Sequence, residues 1–237
     1  MSAPMLAEQF ETLSADAAID RLLAENSAAV KKGAVCITCS FQAEDMIVLD
    51  LLRKRIPDIP VLFLDTGYHF AQTYAYRDRM TREWNLNVQN LAAKQSVPEQ
   101  EAAFGILNRT DPGRCCHLRK VEPLFSALEK FDVWFTGLRR EQAPTRKNLK
   151  VIEHHELPSG KVLLKVSPLA AWTWGQVWET TVREKIDYLP LYDAGYRSIG
   201  CEPCTAIPAA GADPRSGRWG GANLECGIHT ESKRSDP

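Results

Sequence analysis

The sequence predicts an α/β protein: a mostly parallel, twisted sheet flanked by helices. Three observations carry that expectation. Short runs rich in β-branched residues alternate with segments of 3.6-residue periodicity, the pattern of successive βαβ units. The 237 residues are 44% hydrophobic, enough for one sizeable core. Polar turns follow the first two strand runs, at the strand ends where open sheets of this kind keep their ligand sites.

Taken in order, Ser14 is a fitting N-cap for a packing helix through about Lys32, with Ile19, Leu22, Leu23, Asn26 and Val30 along one stripe. Ala34 to Cys39 reads as a strand, and the chain turns at Ser40 into a helix carrying Met46, Ile47, Leu49 and Leu51. The turn Ser40-Phe41-Gln42-Ala43-Glu44-Asp45 is not a Walker A loop, because it has neither the glycines nor the lysine that grip the β and γ phosphates of ATP. Its helix N-terminus still offers backbone N–H groups to an anion. A second strand, Val61 to Leu64, ends in Asp65-Thr66-Gly67 and leads to a helix with Tyr74 and Tyr76. A third strand is expected around Leu86 to Leu91, then a helix from about His117 to Lys130, then a fourth strand ending in Thr136-Gly137. Lys150 to Glu156 and Lys161 to Val166 form a hairpin around Pro158-Ser159-Gly160. Thr173-x-x-Gln176 opens a capped helix with Trp174, Val177, Trp178, Thr181 and Val182 on one face, its tryptophans read as core. After Tyr188, glycines and prolines dominate and periodicity is lost. The expected organisation is one α/β domain over 1–204, followed by a flexible, irregular arm over 205–237.

Lys plus Arg (29) nearly balance Asp plus Glu (30), so no global basic field exists for nucleic-acid binding. Met1 to Leu6 show no basic and apolar leader pattern, and no later apolar run is long enough to span a bilayer, so a cytoplasmic protein without membrane contact is expected. Basic residues do gather locally: Arg114, Arg119 and Lys120; Arg139, Arg140 and Arg146; Arg215 and Arg218.

Seven cysteines, an odd number, argue against a disulfide framework in a reducing compartment and turn attention to metal binding or catalysis. Cys36 and Cys39 would face opposite sides of a strand, so they read as small buried residues. The adjacent pair Cys115-Cys116 and the pair in Cys201-Glu202-Pro203-Cys204 leave two readings open. Zinc is the commoner holder of such thiols, but adjacent cysteines bite one ion poorly, which favours an iron–sulfur cluster with separate iron corners. Cys226, in Glu225-Cys226-Gly227-Ile228-His229, stands apart from both pairs, and Arg215, Arg218 and His229 could supply positive charge near it.

Ser40-Phe41-x-Ala43-Glu44-Asp45, Leu64-Asp65-Thr66-Gly67, Cys115-Cys116-x-x-Arg119-Lys120-Val121-x-Pro123-Leu124, Thr136-Gly137-x-Arg139-x-x-Gln142-x-x-Thr145-Arg146, Ile199-Gly200-Cys201-Glu202-Pro203-Cys204-Thr205, Gly217-Arg218-Trp219 and Glu225-Cys226-Gly227-x-His229 occur in this order over most of the chain. Together they resemble the assimilatory adenylyl-sulfate reductases, thioredoxin-dependent members of the phosphoadenylyl-sulfate reductase family. The resemblance implies an adenine-nucleotide α-hydrolase-like fold with a modified pyrophosphatase loop. It implies reduction of adenosine 5'-phosphosulfate (APS) to sulfite and AMP, in sulfate assimilation and cysteine biosynthesis. It further implies a 4Fe-4S cluster on Cys115, Cys116, Cys201 and Cys204, and a catalytic Cys226 that becomes a Cys-S-sulfonate. Substrate contacts are implied for Ser40, Asp65, Gly67, Lys120, Gly137, Arg139, Arg146, Arg215, Arg218 and His229. Thioredoxin or glutaredoxin, a separate protein because no redox domain follows Pro237, would resolve the intermediate; a homo-oligomer is compatible with the chain. Where many relatives place an aromatic run and a lysine, this chain has Gly220-Gly221-Ala222-Asn223-Leu224, which changes the neighbours expected around Cys226. Other readings are a reductase that prefers the 3'-phosphorylated substrate (PAPS) or takes both, a thiolating ATP pyrophosphatase, which the loop disfavours, and a non-catalytic iron–sulfur sensor or zinc-held module.

Overall fold

The computed structural model describes residues 8–221, 225 and 227–229. Among them one six-stranded sheet runs in the order β3-β2-β1-β4-β6-β5, from β1 (Val35–Thr38), β2 (Pro60–Asp65), β3 (Asn87–Ala92), β4 (Val133–Phe135), β5 (Ile152–Glu156) and β6 (Val162–Val166). Every pairing is parallel except the β5–β6 hairpin, where His154 faces Leu164. The expected sheet is therefore present. Its register pairs Ile37 with Val61 on one side and with Phe135 on the other. The chain order reverses between β1 and β4. Such a switch point opens a crevice at the carboxyl ends of the two strands, after Thr38 and after Phe135.

The central strands are apolar throughout because both faces are covered. One face packs a large core with Ile37, Phe41, Met46, Leu49, Phe63 and Phe135, and the other packs Cys36, Leu62, Leu124 and Trp134. Cys36 and Cys39 are buried, as the sequence suggested. Ser14 caps α1 (Ala15–Glu25) by accepting the N–H of Ala17 at 3.2 Å. The helix expected to reach Lys32 instead breaks at Asn26, whose side chain donates to the Leu22 carbonyl, and restarts as α2 (Ser27–Lys31). Asn competes for backbone partners in this way wherever a helix end is near. α3 (Ala43–Arg53) follows β1, and α4 (Ala71–Glu83) follows β2.

α5 (Val97–Phe104) adds to the expected elements and is opened by a capping box of Ser96 and Glu99. After α6 (Leu107–Thr110) and α7 (Pro112–Cys116), the chain winds as a π-helix over His117–Val121 before α8 (Glu122–Leu128). The helix expected from His117 thus begins earlier and carries a π segment. The cause is local: Pro123 has no N–H to return to residue 119, and the Glu122 N–H bonds the His117 carbonyl five residues back. The capping box of Thr173 opens α9 (Trp174–Arg183), which buries Val177, Thr180 and Thr181. Val182, expected on the packed face, is instead 71% exposed.

The described residues beyond Tyr188 form only short 3-10 turns and isolated bridges. They return to the body at several points. Thr205 bridges Arg218, Ala206 N donates to the Gly217 carbonyl at 2.8 Å, and Ile228 joins the core beside Trp134. No helix among the described residues is long and apolar enough to cross a membrane.

Candidate active site

The turn after β1 is tight. Phe41 takes a left-handed conformation (φ 60°), uncommon for a residue with a side chain, and is fully buried with its ring edge-on to Phe63 and Tyr76. Burying Phe41 turns Ser40 and Gln42 toward the crevice. Ser40 donates its N–H (2.7 Å) and its hydroxyl (2.6 Å) to Asp45 Oδ2, while Gly137 N, past the end of β4, donates to Asp45 Oδ1 at 3.1 Å. Asp45 therefore ties together the two lips of the switch-point crevice. Burial pushes its carboxyl up to about 6, against the lowering effect of the Ser40 and Gly137 hydrogen bonds. Gly137 is needed at this closure, since a Cβ would stand 2.8 Å from the Asp45 backbone N and 2.9 Å from the Glu44 carbonyl carbon.

The crevice is a cavity of about 470 Å³. Of the residues expected to contact substrate, Ser40, Lys120, Gly137, Arg139, Arg146, Arg215, Arg218 and His229 all line it. Asp65 and Gly67 do not. Asp65 accepts hydrogen bonds from Gly67 N (3.1 Å) and the Tyr74 hydroxyl (2.8 Å), which holds the turn after β2. Gly67 has φ +71°, and a Cβ there would press on Val97 and on Arg119. Asp65 fixes this turn, and Gly67 leaves room for Arg119, which lines the space of the thiols.

Arg139 lines the cavity with its donors already committed. Its Nε and Nη2 reach Glu44 Oε1 at 3.1 and 2.8 Å, and Nη1 reaches Glu141 at 2.7 Å and the Trp172 carbonyl at 3.2 Å. It braces the cavity wall. Arg146 makes a two-point contact with Glu225, from Nε at 2.7 Å and Nη2 at 2.8 Å, and Arg215 lies 4.0 Å from the same carboxylate. Burial works to raise the Glu225 carboxyl, but the guanidinium of Arg146, with Arg215 and Thr145 behind it, holds it below the usual carboxylate range.

His229 stacks on Trp134 with ring centroids 5.6 Å apart, near Lys165 and His155. Burial, reinforced by the charges of Lys165 and Arg146, holds this imidazole far below its ordinary range. Burial thus disfavours the charged form of the His229 imidazole at this position. Trp174, read from sequence as core, packs against Trp178 and Tyr192 and also lines the cavity. Cys226 itself lies outside the described residues.

The four thiols of Cys115, Cys116, Cys201 and Cys204 line one small space, together with Thr66, Asn108, Arg119, Lys120 and Trp219. Helix α7 brings the first two, and the His69–Cys201 bridge holds the other pair against the β2 turn. Thr66 Oγ1 lies 3.3 Å from Cys201 Sγ, and Gln100 Nε2 points at Cys115 Sγ at 4.0 Å. Arg119, 4% exposed, spans this region: Nε donates to the Thr66 carbonyl, and Nη1 to Gln100 Oε1 at 3.1 Å and the Gln95 carbonyl at 3.3 Å. Burial raises the thiols of Cys115 and Cys204. Among the described residues no three His, Cys, Asp or Glu side chains converge as they would around a single metal ion. Lys120 and Trp219 line both the thiol space and the crevice. Gly200, next to Cys201, leaves room for the Arg218 guanidinium, on which any Cβ would fall.

Sequence reasoning left several residues without a role. Asp45, Glu225 and Gln142 stood in the matched motifs, yet nothing in their spacing told a clamp from an ordinary helix-capping acid. Arg197 lines the cavity and carries no local signal at all.

An open α/β sheet with a cavity at its switch point, lined by several guanidinium groups, defines an α/β protein whose ligand site lies at the carboxyl ends of β1 and β4. The comparisons place it further: a model of the phosphoadenosine phosphosulfate reductase domain matches residues 34–207, and the chain belongs to that family. It is 45% identical over 198 residues to an adenosine 5'-phosphosulfate reductase of Mycobacterium tuberculosis, covering 81% of this chain and 77% of the relative. It is 42% identical over 229 residues to a phosphoadenosine 5'-phosphosulfate reductase of Gloeobacter violaceus, covering 94% and 92%. A crystal structure of phosphoadenylyl-sulfate reductase from Candida auris, in a phosphate complex, superposes with a TM-score of 0.71 at 26% identity, over 87% of this chain and 98% of that one.

Proposed function

We propose that this chain reduces APS to sulfite and AMP through a Cys-S-sulfonate on Cys226. The observation that carries the reading is the convergence of Ser40, Gly137, Lys120, Arg146, Arg215 and Arg218 on one cavity that shares Lys120 and Trp219 with the four-thiol space. Family membership and the 45% identical APS reductase support the reaction class and the substrate. The Gloeobacter relative, named for PAPS, keeps PAPS or dual use as the second reading.

In this reaction the Cys226 thiolate attacks the sulfur of APS, the sulfur–oxygen bond to phosphate breaks, and AMP departs with that electron pair. Arg146, Arg215, Arg218 and Lys120 offer cationic donors to the sulfonate and phosphate oxygens as charge moves between them. Asp45 keeps Ser40 and Gly137 in place at the crevice lips. A thiolate of thioredoxin or glutaredoxin then attacks Cys226 Sγ and expels sulfite, and the reductant's second thiol closes its own disulfide. Two electrons thus pass from the dithiol to sulfur.

The donor set fits a 4Fe-4S cluster. Four buried or half-buried thiols line one space, and a cluster with separate iron corners does not ask its ligands to converge on one point. Cys115, Cys116, Cys201 and Cys204 would hold it, and when bound it would supply a fixed charge beside Lys120. A cytoplasmic setting, and the absence of nucleic-acid or membrane contact, complete the reading; a homo-oligomer is compatible with it.

The test is incubation with sulfur-labelled APS without reductant. Label should stay on the wild type, be lost in Cys226→Ser with iron content unchanged, and leave as sulfite on adding thioredoxin. A wild-type protein that acquires no label overturns the proposal, and so does labelling that survives Cys226→Ser.

A further inference from the structure

We propose that Glu225 is a positioning residue acting through Arg146: in the substrate-free protein its carboxylate occupies the guanidinium edge that the substrate's anionic group must take. This rests on the reading that the arginine cluster receives a phosphosulfate. Arg146 presents its Nε and Nη2 edge to the two oxygens of Glu225 at 2.7 and 2.8 Å, the two-point geometry that guanidinium also offers a phosphate or sulfate. Its Nη1 donates to Gln142 Oε1. Arg215 lies 4.0 Å from the same carboxylate, and Thr145 donates its hydroxyl to Oε1 at 3.0 Å. The ion pair is nearly closed to solvent, with side-chain exposures of 11% for Arg146 and 10% for Glu225, and both residues line the cavity.

One guanidinium edge takes one oxyanion. A tetrahedral anion arriving at Arg146 must therefore displace Glu225, and its apparent affinity is reduced by the fraction of molecules in which the edge is occupied. Arg139 differs, because its carboxylate partner Glu44 is provided within the body by α3 and is only 7% exposed. Glu225 instead belongs to the C-terminal stretch and directly precedes Cys226 in the chain. Occupancy of this Arg146 edge by the anion and by the Glu225 carboxylate is thus mutually exclusive. Glu225 keeps the guanidinium oriented and charge-compensated until the anion replaces it.

The experiment titrates inorganic sulfate into the full chain by calorimetry and measures the KM for APS in parallel. Glu225→Gln should bind sulfate about tenfold more tightly than wild type and show a lower KM, because the competing charge is gone. Thr145→Val, at an exposed site outside the cavity, removes one hydrogen bond from the carboxylate and should tighten sulfate by about threefold without touching the ion pair. A purely structural role for Glu225 predicts weaker binding or no change, and either result in both variants overturns the inference. Failure of sulfate to bind any of the three proteins overturns it too, since removing the carboxylate would have uncovered no anion site. Tighter sulfate in the variants with no label transfer from APS would instead leave this inference standing and sink the proposed reaction.

Discussion

Gly137→Ala is the substitution that tests how the crevice is closed. The alanine Cβ would sit 2.8 Å from Asp45 N and 2.9 Å from the Glu44 carbonyl carbon, whereas ordinary contact starts at 3.4 Å. Asp45 Oδ1 stands closer still, and the backbone at the start of α3 cannot swing aside, so the turn after β4 must retreat by at least about 0.6 Å for contact to become ordinary. Overpacking of this kind costs about 1–3 kcal/mol. The retreat also weakens the bond from Gly137 N to Asp45, and a hydrogen bond to a charged acceptor contributes about 1.5–3 kcal/mol. We therefore expect a loss of about 3–4 kcal/mol in urea denaturation and a Tm lower by about 10 °C. AMP binding should weaken in parallel, because Ser40 shares Asp45 with Gly137. An alanine variant within about 0.5 kcal/mol of wild type, the scatter of ordinary surface changes, would refute the role given to the Asp45 clamp.

Two further outcomes follow from buried charges. Asp45 has a folded-state pKa of about 6, above its ordinary 3.8, so the folded protein holds this proton more tightly than the unfolded chain. That contribution is complete below pH 4 and is lost as pH rises through 6, an amount of about 3 kcal/mol. Relative to Asp45→Asn, which does not ionise, the wild type should lose about 2 kcal/mol of this between pH 4 and pH 7, and a pH-independent difference would contradict the assignment. Arg119→Gln should destabilise by about 2–3 kcal/mol by orphaning the Thr66 carbonyl and the Gln100 amide oxygen. Arg119→Lys should not restore the loss, because one ammonium cannot reach acceptors spread as the guanidinium spans them; denaturation curves of both variants decide it.

The sequence by itself determined the sheet. Runs such as Val35 to Thr38 and Val133 to Phe135 are apolar on both faces, which only a covered parallel strand satisfies, and turn chemistry marked the hairpin and the Thr173 cap. It also determined which residue types gather at the site, since thiols, guanidinium groups and glycines in a fixed order carry their chemistry with them. Where the sequence failed locally, a neighbour supplied the reason: Asn26 captured the Leu22 carbonyl, and Pro123 turned a helix into a π segment. Only the tertiary structure decided who faces whom. Asp65 and Gly67 follow a strand as Ser40 does, yet β2 is not at the switch point, so they serve Arg119 and Tyr74 instead of the crevice. Arg139 and Arg146 are alike in sequence, but one is braced by Glu44 and the other meets a carboxylate from 79 residues further on. Charge pairing over such separations depends on distances of a few ångströms that no local pattern encodes. Packing sets those distances, and with them which carboxylate each arginine meets.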